Sequence, residues 1–393
     1  MRAALPVEAL AVAEQAIFRV HRAEILPALS AVCEASDRGA KIPILSHVLL
    51  KPAGDQLRLR ATDLDVEIAA TCDLLSAESD FGFAISAADL LGIVKSLPEA
   101  AEIEFLHGRA EGQIILRTRS SRFTLLSLLE ADFPSIVSFL KGDAFTIDVA
   151  PLMSAVGKVM FATDKADSGR PYTLGIYIAP ERGGSQLLVA ATNMRSLGAV
   201  RIRTQTEASF EPVLIPSKLA QTMRKIFSDE KASASLVISN NLMSVTCGGV
   251  SIFSRLIDGE FPVKIFDTVP KAAEFDVIAT VDSLKSCVRR ILLVAGDLMK
   301  EGIRLTLRRG SLQLELVNGH GESAVEQVPV AFDHDADFAI GLNAKMLGSL
   351  LDSVSTQDVR IGLTNAGNTV FRPTTDVDDT FAIAPMAARG VEA

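Results

Sequence analysis

Between Leu214 and Phe227 the chain reads LIPSKLAQTMRKIF, in which Leu219, Met223, Ile226 and Phe227 recur at helical spacing. They share one face, with Lys218, Gln221, Thr222 and Lys225 elsewhere, so the stretch predicts an amphipathic helix. The same pattern returns in AISAADLLGIVKSL (Ala84 to Leu97) and GLNAKMLGSLLDSV (Gly341 to Val354). Ser86, Pro216 and Asn343 occupy one slot: Ser and Asn accept from free N–H groups at a helix start, and Pro supplies the fixed φ of a first helical residue. A strand followed by a helix also occurs three times, from Phe18, Phe145 and Phe275, at intervals of 127 and 130 residues. Between the helices lie runs rich in Val, Ile, Leu and Thr with Gly or Asp-Gly punctuation, which predict antiparallel hairpins. A short phrase closes each repeat: EADFPSI, DGEFPVK and, thinner, AIAPM, with prolines 134, 262 and 385 spaced 128 and 123 residues apart. That period is too long for a solenoid. The expectation is an α+β chain in which two helices pack on antiparallel β-sheets in each of three domains, 18–143, 144–272 and 273–393, after an N-terminal extension 1–17.

Composition agrees with three cores: 393 residues, 48% hydrophobic and 22% charged. No apolar run approaches the ~18 residues of a membrane span. Glu8 and Glu14 interrupt the Ala-rich start, which argues against an export signal. Cys33, Cys72, Cys247 and Cys287 lie far apart without a CxxC pair or histidines at ligand spacing, so reduced thiols in a cytoplasmic protein and no metal site are expected.

Catalytic patterns are missing. There is no GxSxG, GxxxxGK[ST], HExxH or GxGxxG, and the five histidines are scattered. Asp63, Asp65 and Glu67 alternate on a predicted strand and so share a face, the one arrangement that favours a metal-dependent nuclease or hydrolase. Nothing else joins them, and a scaffold role is the simpler reading. DHDAD (Asp333 to Asp337) starts like a calcium loop but has Phe338 where Gly is required. Arg308, Arg309 and Gly310 predict a hairpin turn. No catalytic residue and no cofactor are assigned.

Charge changes the picture. The net charge of −9 argues against a protein that coats nucleic acid, yet the six predicted helices, counted over 18–32, 86–97, 149–163, 216–227, 282–294 and 343–354, hold eleven basic residues against four acidic. The remainder then carries −16. Solvated helix faces favour Lys and Arg in any case, but segregation on this scale predicts one basic helical surface on an acidic body. With no Trp and only Tyr172 and Tyr177, such a surface would hold a duplex by its phosphates, without base stacking.

At KIPILSHVLL (41–50), ATDLDVEI (61–68), SRFTLLSLLEADFP (121–134), RLIDGEFP (255–262) and the terminal APM, the chain resembles the bacterial DNA polymerase III β subunit family of sliding clamps, over nearly its whole length from Phe18 to Met386. The resemblance implies three clamp domains per chain and a ring-shaped homodimer, closed head to tail, with helices lining the hole. It implies that double-stranded DNA is encircled without sequence preference and that the DNA polymerase III α subunit, the clamp loader δ subunit, other polymerases and repair proteins are tethered; no membrane is involved. By position it assigns Arg38, Lys41, Arg170 and Tyr172 to DNA-contacting loops, to which the basic helical surface adds Arg224 and Lys225. It places Phe123 and Leu125 in the dimer contact, opposite Leu293 and Val294. A groove for apolar partner peptides would be built from Thr173, Leu174, Thr192, Arg195, Leu197, Pro262, Phe266, Ile383, Pro385 and Met386. One segment departs from the family: its usual Thr-Asp-Gly-His-Arg-Leu is TNMRSL (Thr192 to Leu197), and the tail runs on past APM. A specialised or resistance-type second clamp with an altered groove is therefore the alternative reading.

Overall fold

The computed structural model describes residues 15–388 except 38, 137–141, 143, 167–168, 228–231, 240, 297–301, 334–337, 365–366 and 376–377. Two compact units result, Met1–Ala144 with Ala234–Arg255, and Phe145–Ser233 with Leu256–Ala393. Among the described residues no helix is long and apolar enough to cross a membrane.

In the first unit the opening strand Ala16–His21 begins two residues before the expected boundary, because Ile17 and Phe18 are both fully buried and Phe18 stacks on Phe105 at 4.4 Å. Helix α1 (Arg22–Val32) follows at once. Arg22 donates through Nε and Nη2 to the carbonyls of Val94 and Lys95 (2.9 and 3.2 Å), supplying partners to the open C-terminal end of α2 (Ala87–Ser96). Ser86 Oγ accepts from Asp89 N at the other end of α2, as its place in the repeat predicts. The helices pack on antiparallel strands: His47–Ala53 lies between Gln56–Thr62 and Phe83–Ser86, and Gln56–Thr62 continues to Val66–Asp73. Val250–Arg255, from the second repeat, adds to the far edge of Val66–Asp73 with Ile252 opposite Ile68.

The second unit repeats the scheme. Helices α3 (Val149–Val159), α4 (Ser217–Ile226), α5 (Val281–Leu292) and α6 (Ala344–Ser353) pack on two antiparallel sheets. Ser196–Arg203 receives Thr380–Ile383 on its edge, Ser196 opposite Ile383, so the second and third repeats are sewn together as the first and second are. Asn343 Oδ1 accepts from Met346 N (2.9 Å), while Pro216 stands at the N-cap itself, one residue before its expected place in α4. Thr222, read as part of the outer face of α4, is buried beside Met223. Gly310 takes φ +72° in the hairpin predicted at Arg308 to Gly310. The calcium-like run falls mostly outside the described residues. Helices on antiparallel sheets, three times over, make the α+β architecture expected from the periodicity.

Candidate partner groove and nucleic-acid interface

One turn is built twice. In the first repeat Thr62 Oγ1 donates to Val66 O (2.8 Å) and accepts from Leu64 N (3.0 Å), while Asp63 Oδ1 accepts from Asp65 N and Val66 N (3.0 and 2.7 Å). In the second, Thr192 Oγ1 donates to Ser196 O (2.8 Å) and accepts from Met194 N (3.0 Å), and Asn193 Oδ1 accepts from Arg195 N and Ser196 N (3.1 and 2.8 Å). An amide oxygen serves as well as a carboxylate in this role, so the departure at Asn193 leaves the turn intact. Leu64 and Met194 hold the matching left-handed position, φ +79° and +69°. This corrects the carboxylate row: Asp63 and Asp65 lie in the turn and not on the strand, which begins at Val66. Glu67 is buried and held by Arg60 Nε and Ile136 N, both at 2.9 Å, as a scaffold group.

Beside the second turn a pocket of about 150 Å³ opens, walled by Met194, Arg195, Leu197, Ile265, Ala382 and Ala384. Small side chains make it. Ala384 N donates to Arg195 O (2.8 Å) just as Arg255 N donates to Asp65 O (3.0 Å) at the earlier junction, but there the Arg255 side chain crosses the turn to Leu64 O (3.3 Å), and alanine leaves that space empty. On the far wall Asn368 Nδ2 donates to Thr268 O and Oγ1 (3.2 and 3.1 Å).

Of the expected groove residues, Arg195 and Leu197 line this pocket. Phe266 lies nearby in the same unit, packed with Ile265 and Tyr172 on a buried cluster whose centre is the Tyr177–Phe261 stack at 4.5 Å. Burial pushes the Tyr177 hydroxyl above its usual pKa. Thr173 and Thr192 are buried and hold turns through their hydroxyls; Leu174 and Pro262 are half-buried. Ile383 is fully buried, and its neighbours Ala382 and Ala384 supply the wall in its place. Pro385 is exposed, and Met386 is tied to Phe338–Asn343 through Met386 N to Gly341 O (2.8 Å) and Asn343 Nδ2 to Sδ (3.7 Å). Ala384 falls within the stretch Ile383 to Met386 expected at the groove, whereas Ala382 was missed, because a wall formed by a small residue leaves little apolar signal.

Arg38 lies outside the described residues. Lys41 and Arg170 are exposed and lead into matching 3₁₀ turns, Pro43–Ser46 and Pro171–Leu174. Tyr172 is half-buried against the Tyr177 cluster. Arg224 and Lys225 are exposed on the last turn of α4, and the Arg224 guanidinium covers Gly157 of α3, where a Cβ would meet Cζ at 2.9 Å. Several other basic groups are engaged. Lys158 pairs with Asp379 (2.7 Å) in a nearly buried bridge, Arg289 with Asp352 (3.2 Å), and Arg290 with Glu326 (2.6 Å); Arg19 stands on a strand, so the helices as folded hold ten basic residues against four acidic.

Phe123 and Leu125 are half-buried on Arg122–Leu129. That strand pairs Gln113–Arg117 through Leu126 and Phe83–Ser86 only from Ser127 onward, so Phe123 to Leu126 present one edge without a strand neighbour among the described residues. Leu126, which sequence reasoning passed over, is 75% exposed there. In the second unit Leu293 is 85% exposed, Val294 is half-buried, and Ser323–Pro329 ends its sheet with Val325 exposed. Among the described residues no group of three or more His, Cys, Asp and Glu could hold a metal.

The chain matches the models of the DNA polymerase III beta subunit N-terminal, central and C-terminal domains over residues 16–137, 146–263 and 267–387. The beta sliding clamp of Pseudomonas aeruginosa is 27% identical over 372 residues, covering 94% of this chain and 99% of the relative; that of Escherichia coli is 27% identical over 355 residues. A P. aeruginosa DnaN sliding clamp crystal structure, bound to griselimycin, superposes with TM-score 0.87 at 26% identity, over 95% of this chain and all of the other. A Caulobacter crescentus clamp does so with 0.86 at 25% identity, over 94% and 99%. These matches favour neither a hydrolase nor a specialised offshoot. The chain belongs to the DNA polymerase III beta subunit family and is a DNA sliding clamp, a processivity factor without catalysis of its own.

Proposed function

We propose that two copies close head to tail into a ring around duplex DNA in the cytoplasm, the Phe123–Leu126 edge of one copy pairing with Ser323–Pro329 of the other while Phe123 and Leu125 pack on Leu293 and Val294. The observation that carries this reading is the pair of edges open among the described residues: strands unpaired on one side, with Leu126 and Val325 exposed on them and Leu293 exposed just after α5, are an aggregation hazard in a lone chain, and closure removes it. Lys41, Arg170, Arg224 and Lys225, with Arg38, touch phosphates, and the pocket beside Met194 receives an apolar anchor from the polymerase α subunit, the loader δ subunit and repair proteins. Topology then replaces affinity. A closed ring slides on weak contacts and keeps its tethered partner at high effective concentration.

Light scattering tests closure. The wild-type protein should have the mass of two chains, and Leu126→Asp together with Leu293→Asp that of one, with unchanged circular dichroism. A wild-type monomer at tens of micromolar would refute the ring.

A further inference from the structure

Arg195 is the one charged residue among those lining the groove pocket, and it is exposed at the lip. Its backbone is pinned on both sides, N–H to Asn193 Oδ1 (3.1 Å) and C=O to Ala384 N–H (2.8 Å), so the position from which its side chain projects is fixed. Among the described residues its guanidinium has no hydrogen-bond or ion-pair partner, whereas Arg60, Arg117, Arg201 and Arg290 each grip a carboxylate. Behind it the cavity of about 150 Å³ is the size that holds one benzene-sized group. Across the pocket, Asn368 uses its amide N–H groups on Thr268 and leaves its carbonyl to accept.

We propose that Arg195 is a specificity determinant: this groove selects peptides that carry an aspartate or glutamate within two residues of a leucine- or phenylalanine-sized anchor. The inference rests on the peptide groove proposed above and adds to it the charge of the ligand. The anchor fills the apolar pocket, the carboxylate meets the unpaired guanidinium in a forked, charge-assisted pair, and a peptide N–H donates to Asn368 Oδ1. Arginine at this place supplies that fork at every physiological pH, which a histidine or a lysine does not.

Selection of a displayed random heptapeptide library on the full-length protein tests this, with Arg195→Ala and Arg195→Glu as baits and Ala384→Arg as the pocket-filled control. Peptides enriched on wild type should combine the anchor with a nearby acid and lose binding on Ala384→Arg. In anisotropy titrations, replacing that acid by its amide should weaken the best peptide about fivefold, the scale of an exposed charge pair. On Arg195→Ala the acid and amide peptides should bind alike, and on Arg195→Glu the enriched partner should become Lys or Arg. Equal binding of acid and amide peptides by wild type would overturn the selectivity and leave the groove standing. Failure to enrich any peptide sensitive to Ala384→Arg would overturn both.

Discussion

Met194 sits at φ +69°, a conformation that costs a residue with a Cβ about 1–2 kcal/mol and glycine little. Met194→Gly should therefore raise stability by about 0.5–1 kcal/mol after the unfolded-state entropy of glycine is deducted, read as a higher urea midpoint. It should also weaken peptide binding, because one wall of the pocket goes with the side chain. A variant that is less stable would show that Met194 contributes more to packing than its strain removes. Asn193 makes the opposite case. Its Oδ1 accepts from two backbone N–H groups and from Ser196 Oγ (3.0 Å), so Asn193→Ala should cost about 2 kcal/mol by orphaning near-buried donors, while Asn193→Asp, which keeps every acceptor, should fall within about 0.5 kcal/mol of wild type. Here the sequence was legible to a point: TNMRSL announces a departure from the family, but that Asn and Met preserve the turn emerges only from hydrogen bonds that also run through TDLDV.

Elements were legible where periodicity reports burial. The amphipathic helices and the strands that open each repeat were readable because one face must be apolar, and Ser86 and Asn343 because helix starts need acceptors. The groove was legible in part, at Arg195, Leu197 and the stretch from Ile383 to Met386, but the way its walls at Ala382 and Ala384 work, by being small, was not. That gives an element-scale prediction: Ala384→Arg, copying the Arg255 that fills the equivalent place at the first junction, should reduce affinity for a clamp-binding peptide more than tenfold without changing circular dichroism or self-association. Unchanged affinity would show that the peptide docks elsewhere. A second prediction concerns the edge strand Ser323–Pro329, docked on α5 by Glu326. Hydrogen bonds from Arg290 hold the Glu326 carboxyl below the usual carboxylate range. A lowered folded-state pKa means that this contribution is complete above the unfolded-state pKa and is lost as pH falls through the folded value. The protection of the amides from Val325 to Val328, measured as exchange relative to the intrinsic rate at each pH, should fall on acidification below that value, and Glu326→Gln should flatten the dependence.

For the whole molecule, three repeats of one unit were plain from the 127- and 130-residue intervals, whereas the strength of the basic surface was overstated by counting charges along the chain. Lys158 is neutralised by Asp379, Arg22 and Lys285 bind carbonyls at the ends of neighbouring helices, and Arg289 and Arg290 face carboxylates. These side chains hold helices to helices and strands, which a sum over sequence cannot distinguish from charge offered to a ligand. Half of the ten cations on the described helices are held in this way, and since affinity for duplex DNA falls by about one power of salt concentration per phosphate contact, the chain should bind open linear DNA more weakly and with a shallower salt slope than the full count implies. A ring would escape that limit. Loaded onto a nicked circle by a clamp loader, the wild-type protein should stay bound through a wash at about 0.5 M salt, where contacts of this kind are largely screened. Cutting the same circle with a restriction enzyme should release it within minutes. Charge reversal at Arg170 and Arg224 should lower loading without changing retention on the circle. Release from the intact circle by salt alone would mean that the protein holds DNA by affinity, and the topological account would fail.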